Sequence, residues 1–125
     1  MSTEITALRD KLVAALKRHE ASFKITADTP EKFEVTGTIE AMQGKKKVDG
    51  IYFASLVPKP KDVRLYFFPT YTHAAEMQDM PENLKKCLKG KSCFHIKKLD
   101  AELENDIRAM IDKGVGLYQR DGLLK

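Results

Sequence analysis

The sequence predicts an α+β fold: a two-layer sandwich in which an antiparallel sheet of about five strands carries the N- and C-terminal helices on one face. Three observations lead there. Apolar residues recur at helical spacing at both ends of the chain, they alternate with period two through the middle, and the alternating runs are joined by short connections rich in turn residues. Four sequential strands so joined form a meander, and two amphipathic helices need a common surface to cover. The 125 residues are one domain's worth of chain, enough to bury most of its apolar surface.

The elements follow in order. Ile5, Leu8, Leu12 and Leu16 mark one face of a helix over 5–20, with Ser2 or Thr3 as its cap. Glu4 suits its positive end, and Lys17, Arg18 and His19 its negative end. Phe23, Ile25 and Ala27 then alternate with polar neighbours, and Asp28-Thr29-Pro30-Glu31 turns the chain. Phe33, Val35, Gly37, Ile39 and Ala41 continue the alternation without a break, which predicts one strand over 32–41. Residues 43–50 read as a basic turn. Residues 51–57 and 63–68 read as two further strands, separated by Pro58-Lys59-Pro60-Lys61-Asp62, where the prolines stop pairing. A long irregular loop is expected over 69–80 and a short helix over 81–89, capped by Asp79 and ended by Gly90. Residues 92–98 form the fifth strand. Asp100 then caps a final helix with Leu103, Ile107, Met110, Ile111 and Tyr118 on one face; Gly114 and Gly116 within it mark close packing or an early end.

Period-two logic sorts the strand residues. Placing Phe33, Val35, Phe53, Leu65, Phe67 and Phe94 toward the helices, with Ile25 and Ile39 beside them, sends Tyr52, Ala54, Leu56, Arg64, Tyr66 and Phe68 outward. Cys93, His95 and Lys97 share that outward face. It holds more aromatic and aliphatic area than solvation needs, so either it is a ligand or dimer surface or the 69–80 loop folds over it.

The net charge is +4, and its distribution is uneven. Residues 44–98 carry twelve bases and five acids, a balance of +7, while both flanking thirds are slightly acidic. Such a patch either keeps a small domain dispersed in water or attracts carboxylate and phosphate ligands. Nucleic acid is not expected as a partner, because no Arg/aromatic motif accompanies the lysines. The longest run without a charged residue, Leu65 to Ala75, contains a proline and a histidine, so no membrane span is expected. Residues 1–11 lack an apolar h-region, and the expected compartment is the cytoplasm. Cys87 and Cys93, spaced C-x5-C, then read as free thiols.

Four constellations bear on chemistry. Cys93 and His95 lie on one side of a strand and would need His73 or Cys87 to complete a three-ligand metal site, a spacing that matches no standard signature. As nucleophile and base the same pair is near 7 Å apart at ~3.3 Å rise per residue, too far for a hydrogen bond, which leaves His73 as the alternative base. Gly90-Lys91-Ser92 resembles the end of a P-loop, but residue 85 is lysine where the first glycine belongs, and the order is helix–turn–strand. Glu102, Glu104 and Asp106 fit a solvated helix face.

Two stretches go beyond generic pattern: Tyr66-Phe67-Phe68-Pro69-Thr70-Tyr71-Thr72-His73 and Leu88-Lys89-Gly90-Lys91-Ser92-Cys93-Phe94-His95-Ile96-Lys97-Lys98. With the final helix they resemble the bacterial domain of unknown function 1801 family, the YdhG-like family, over roughly residues 50–124. The resemblance implies a small cytoplasmic protein with a frataxin-like fold, and an iron-chaperone role has been proposed for some relatives. The first helix here sets Glu4, Asp10 and Glu20 against Arg9, Lys11, Lys17 and Arg18, a balance that does not concentrate a hard cation.

The expected function is a non-enzymatic binding module that takes a small anionic ligand or a partner protein, a second copy included, on the outward sheet face. Arg64, Lys91 and Lys97 would supply charge; Tyr66, Tyr71 and His95 aromatic contact and hydrogen bonds; His73 and Cys93 would complete the lining. No cofactor is expected, with iron reserved for the frataxin-like alternative.

Overall fold

The computed structural model describes residues 3–125; Ser2, one of the two cap candidates, lies outside them. Leu8, Leu12 and Leu16 are buried along one side of α1 (Thr3–Lys17), as their spacing requires. A single 3-10 turn over Glu20–Ser22 leads into β1 (Lys24–Thr29) and β2 (Lys32–Thr36). The chain continues through β3 (Ala41–Gln43), β4 (Lys46–Val48), β5 (Tyr52–Pro58) and β6 (Val63–Phe67). Two short helices follow, α2 (Pro69–Thr72) and α3 (Glu82–Cys87), then β7 (Leu88–Lys89), β8 (Cys93–Ile96) and α4 (Ala101–Arg120). Six strands form one antiparallel sheet in the order β1-β2-β5-β6-β8-β7, and β3 and β4 form a separate hairpin. The terminal helices pack together on one face of the sheet, so the fold is the expected α+β two-layer sandwich. Its core centres on the Phe53 ring, whose centroid lies 4.7 Å from Phe23, 5.2 Å from Phe67 and 5.4 Å from Tyr118 of α4.

The corrections to the sequence reading have local causes. The strand expected over 32–41 ends at Thr36, because the chain leaves the sheet at Gly37, whose N–H bonds to the Ile51 carbonyl at 2.8 Å. Gly50 backs directly onto the Gly37 carbonyl, and a Cβ on Gly37 would stand 2.9 Å from the Leu123 carbonyl oxygen. This pair of glycines pinches off residues 38–49, so the expected basic turn is the β3–β4 hairpin instead, with Gly44 at φ 65° in its turn. Ile39 is only half-buried in the link to that hairpin.

A β-bulge overturns the outward placement of Ala54 and Leu56. Val35 pairs with Ala54 while Thr36 pairs with Tyr52, so Phe53 is the extra residue. Phe53 and Ala54 both face the helices and are both fully buried, and the alternation inverts beyond them. Leu56 is therefore buried opposite Phe33 and Leu65, while Ser55 and Val57 point outward opposite Tyr66 and Arg64.

At the sheet edge, Ile25 is 39% exposed, because β1 is the outermost strand and its pairing slips between Ile25 and Ala27. Further on, the 69–80 loop opens as α2, with Pro69 in its first turn. The helix expected over 81–89 is confined to α3; residues 88–89 instead pair with β8, and Gly90, at φ 76°, turns β7 into β8. Asp79 caps nothing and accepts a bond from Lys113 Nζ at 2.7 Å. Asp100 does cap α4, its Oδ1 accepting from the Leu103 N–H at 2.8 Å.

Candidate functional site

Both helices lie on one face of the sheet, and its other face is built by register. Val57, Arg64 and His95 form one row across β5, β6 and β8, and Ser55, Tyr66 and Cys93 form the next, extended by Lys89 of β7. Residues directly opposite in an antiparallel pair share a face, so Arg64, Tyr66, Cys93 and His95 come together as expected.

The 69–80 segment is tied to α4. His73 Nε2 lies 2.6 Å from Asp121 Oδ2, the Thr72 hydroxyl 2.9 Å from the Tyr118 hydroxyl, and Arg120 pairs with Glu76 at 3.4 Å. Met77 is buried among the core residues. Between the two expectations for the outward face, these contacts favour a face that the loop leaves uncovered except at the end where Tyr71 stacks on Phe68.

They also remove His73 from the site. Its side chain is 9% exposed, bonded to Asp121 and Thr72 with its ring centroid 5.2 Å from Tyr118, and so it cannot serve Cys93 as a base or a fellow ligand. Asp121 is pulled down to about 2, chiefly by Arg120 and then by His73.

At the end of the face where the β5–β6 loop meets β6 stands a residue the sequence reading missed. Asp62 is buried, its side chain 8% exposed. It accepts from Arg64 Nε at 3.0 Å, and His95 Nδ1 lies 3.9 Å from its other oxygen. A buried carboxylate left without a partner is costly, and Arg64 supplies the partner. The available signal was the period-two spacing of Asp62, Arg64 and Tyr66, which begins one residue ahead of β6; reading Asp62 only as a turn residue hid it.

Tyr66 and Cys93 are direct partners across β6 and β8. Burial pushes the Cys93 thiol up, against smaller opposing effects of Tyr66 and Arg64, so the sulfur is held in its protonated, weakly nucleophilic form. Cys87 is pushed up by burial as well, and both cysteines are free. Among the described residues no group of three His, Cys, Asp or Glu side chains could hold a metal ion.

Tyr71 and Lys91 sit together at one end of the face. Phe68 stands between Tyr52, at 5.4 Å, and Tyr71, which stacks on it at 5.6 Å. Lys91 Nζ caps the Tyr71 ring at 5.5 Å. The Tyr52 hydroxyl bonds to Ser55, and burial raises its pKa to about 12.

Lys97 does not belong to this face. It lines a cleft of about 600 Å³ beyond the end of the sheet, between the start of α1, the β5–β6 loop and the link from β8 to α4. The strand ends at Ile96, so period-two alternation no longer applies at Lys97.

No described helix is long and apolar enough to cross a membrane. Compared with protein-family models, curated proteins and solved structures, the chain finds no match.

Proposed function

We propose that this chain is a non-enzymatic binding module that holds a small anion on the uncovered sheet face, with Arg64 as the anchor. The observation that carries this reading is the way Asp62 holds Arg64. The carboxylate takes Nε alone, and the two terminal nitrogens of the guanidinium have no other partner among the described residues. A planar guanidinium fixed from behind in this way is pre-organised for a ligand carboxylate or phosphate. His95 and Tyr66 flank it across the β6–β8 register and add a second donor and an aromatic wall.

The packing of both terminal helices on one sheet face supports the likeness to the YdhG-like family, and we extend the proposal to that kinship. The iron-carrier alternative draws on Glu4 and Asp10 of α1. Asp10 accepts from Arg9 at 3.1 Å, which favours the anion reading.

Thermal unfolding against inorganic phosphate, citrate and anaerobic ferrous iron tests it. An anion at 100 times its Kd adds about 2.7 kcal/mol, several degrees for a domain of this size. The shift is expected with anions and is expected to vanish in Arg64→Ala. No shift in the parent protein, or an equal shift in the variant, overturns the proposal; a shift with iron alone moves the assignment to the first helix.

A further inference from the structure

We propose that the cleft around Lys97 is a separate binding site for an amphipathic anion, a carboxylate or phosphate head on an apolar tail. Its volume of about 600 Å³ falls within the ~300–1,000 Å³ of small-molecule sites. Four lysines from three separate segments line it: Lys11 from α1, Lys61 from the β5–β6 loop, and Lys97 and Lys98 from the link to α4. None of the four makes an ion pair, although ten pairs of Lys or Arg with a carboxylate are formed elsewhere among the described residues. Among the described residues, the one carboxylate lining the cleft is Glu4. Like charges gathered around a concave surface repel one another and raise the local concentration of anions, and a bound anion relieves the repulsion.

Charge alone would fit any anion; the floor narrows the class. Leu8 and Leu99 line the same cleft, the first buried and the second packed against the core. Lysine stems lie along apolar surface while their ammonium groups stay in water, so a tail on this floor meets methylenes and a head at the rim meets charge. The loop that carries Lys61 is stiff. Pro58 and Pro60 restrict it, and the Lys59 N–H closes it onto the Asp62 carbonyl at 2.8 Å. The rim is therefore partly pre-set, which lowers the cost of binding.

Titration calorimetry on the full chain with decanoate and decyl phosphate, below their micelle concentrations, tests the site, with decanol and inorganic phosphate as controls. Both amphiphiles are expected to bind, more weakly as salt rises. Lys61→Glu with Lys97→Glu is expected to weaken binding by about tenfold or more, which is about 1.4 kcal/mol, while Lys61→Arg with Lys97→Arg retains it. Circular dichroism confirms that each variant is folded. Decanol binding as well as decyl phosphate, inorganic phosphate doing so in Arg64→Ala, where the sheet-face site is removed, or unchanged affinity in the Glu pair overturns the proposal. So does attachment to phosphatidylglycerol vesicles with no uptake of the free amphiphiles, which would make the lysines a flat membrane-facing patch. Arg64→Ala is expected to leave amphiphile binding intact, and a loss there would place the head on the sheet face instead.

Discussion

Gly50 lies against the carbonyl of Gly37 with no room between them for a Cβ. The contact is backbone to backbone, so no rotamer change can relieve it. Gly50→Ala is expected to cost about 2–3 kcal/mol, as overpacking does elsewhere, seen as a lower urea midpoint. An unchanged midpoint would mean that the hairpin base is not held as described.

Gly114 and Gly116 stand two residues apart on α4 and should respond oppositely to alanine. A Cβ at 114 would stand 2.7 Å from Phe67 Cζ and 3.0 Å from Pro69 Cγ, whereas one at 116 meets open space. Gly116→Ala should gain up to about 1 kcal/mol of helix propensity. Gly114→Ala should lose about 1–3 kcal/mol. Denaturant unfolding of both variants reads the difference.

Acid should loosen the junction of α2 and α4. Asp121 has its pKa depressed to about 2, first by Arg120 and then by His73. A carboxyl depressed in the folded state contributes fully above its ordinary pKa of about 4, and that contribution is lost as pH falls toward 2. Between pH 4 and 2 the parent protein should therefore lose stability more steeply than Asp121→Asn; parallel pH profiles would contradict this.

Base acts on the tyrosines with the opposite sign. Burial raises both Tyr52 and Tyr118 to about 12, against opposing hydrogen bonds from Ser55 and Thr72 respectively. Their neutral forms stabilise the fold fully below about pH 10, and that contribution is lost as pH rises through about 12. Phenolate absorbance should show two of the four tyrosines titrating near pH 12, and Tyr118→Phe should remove one of those steps.

The thiols should be sluggish. Burial raises both Cys87 and Cys93, so alkylation by iodoacetamide at pH 7 should be slower than that of a small free thiol. Fast labelling of Cys93 would revive a cysteine-based activity.

Periodicity made the layers legible. Leu8, Leu12 and Leu16 on α1 and Ile107, Met110, Ile111 and Tyr118 on α4 are buried as their spacing implies. It failed where a single residue changes the count. The bulge at Phe53 inverts the faces of the rest of β5, and hydropathy alone cannot distinguish a bulge from an unbroken strand. It failed again at Gly37, which fits an alternating pattern as a neutral residue yet is where the chain turns out of the sheet. At the site, Arg64, Tyr66, Cys93 and His95 were accessible because cross-strand neighbours follow from a meander. Asp62 was within reach of the same spacing and was hidden by its reading as a turn residue; the lysine cleft was not legible, because it depends on how segments distant in sequence meet.

The first helix and the last touch each other, and that has a consequence for how the chain is made. His19, just beyond α1, meets Asp112 of α4 at 2.6 Å across 93 residues of sequence. On a ribosome adding roughly 5–20 residues per second, the leucine stripe of α1 emerges some 5–20 s before its partner helix exists. Throughout that interval a row of buried-type side chains is exposed to the crowded surroundings of the nascent chain. The sandwich can close only once α4 has been made, and until then the leucine stripe of the opening helix has no partner helix to cover it.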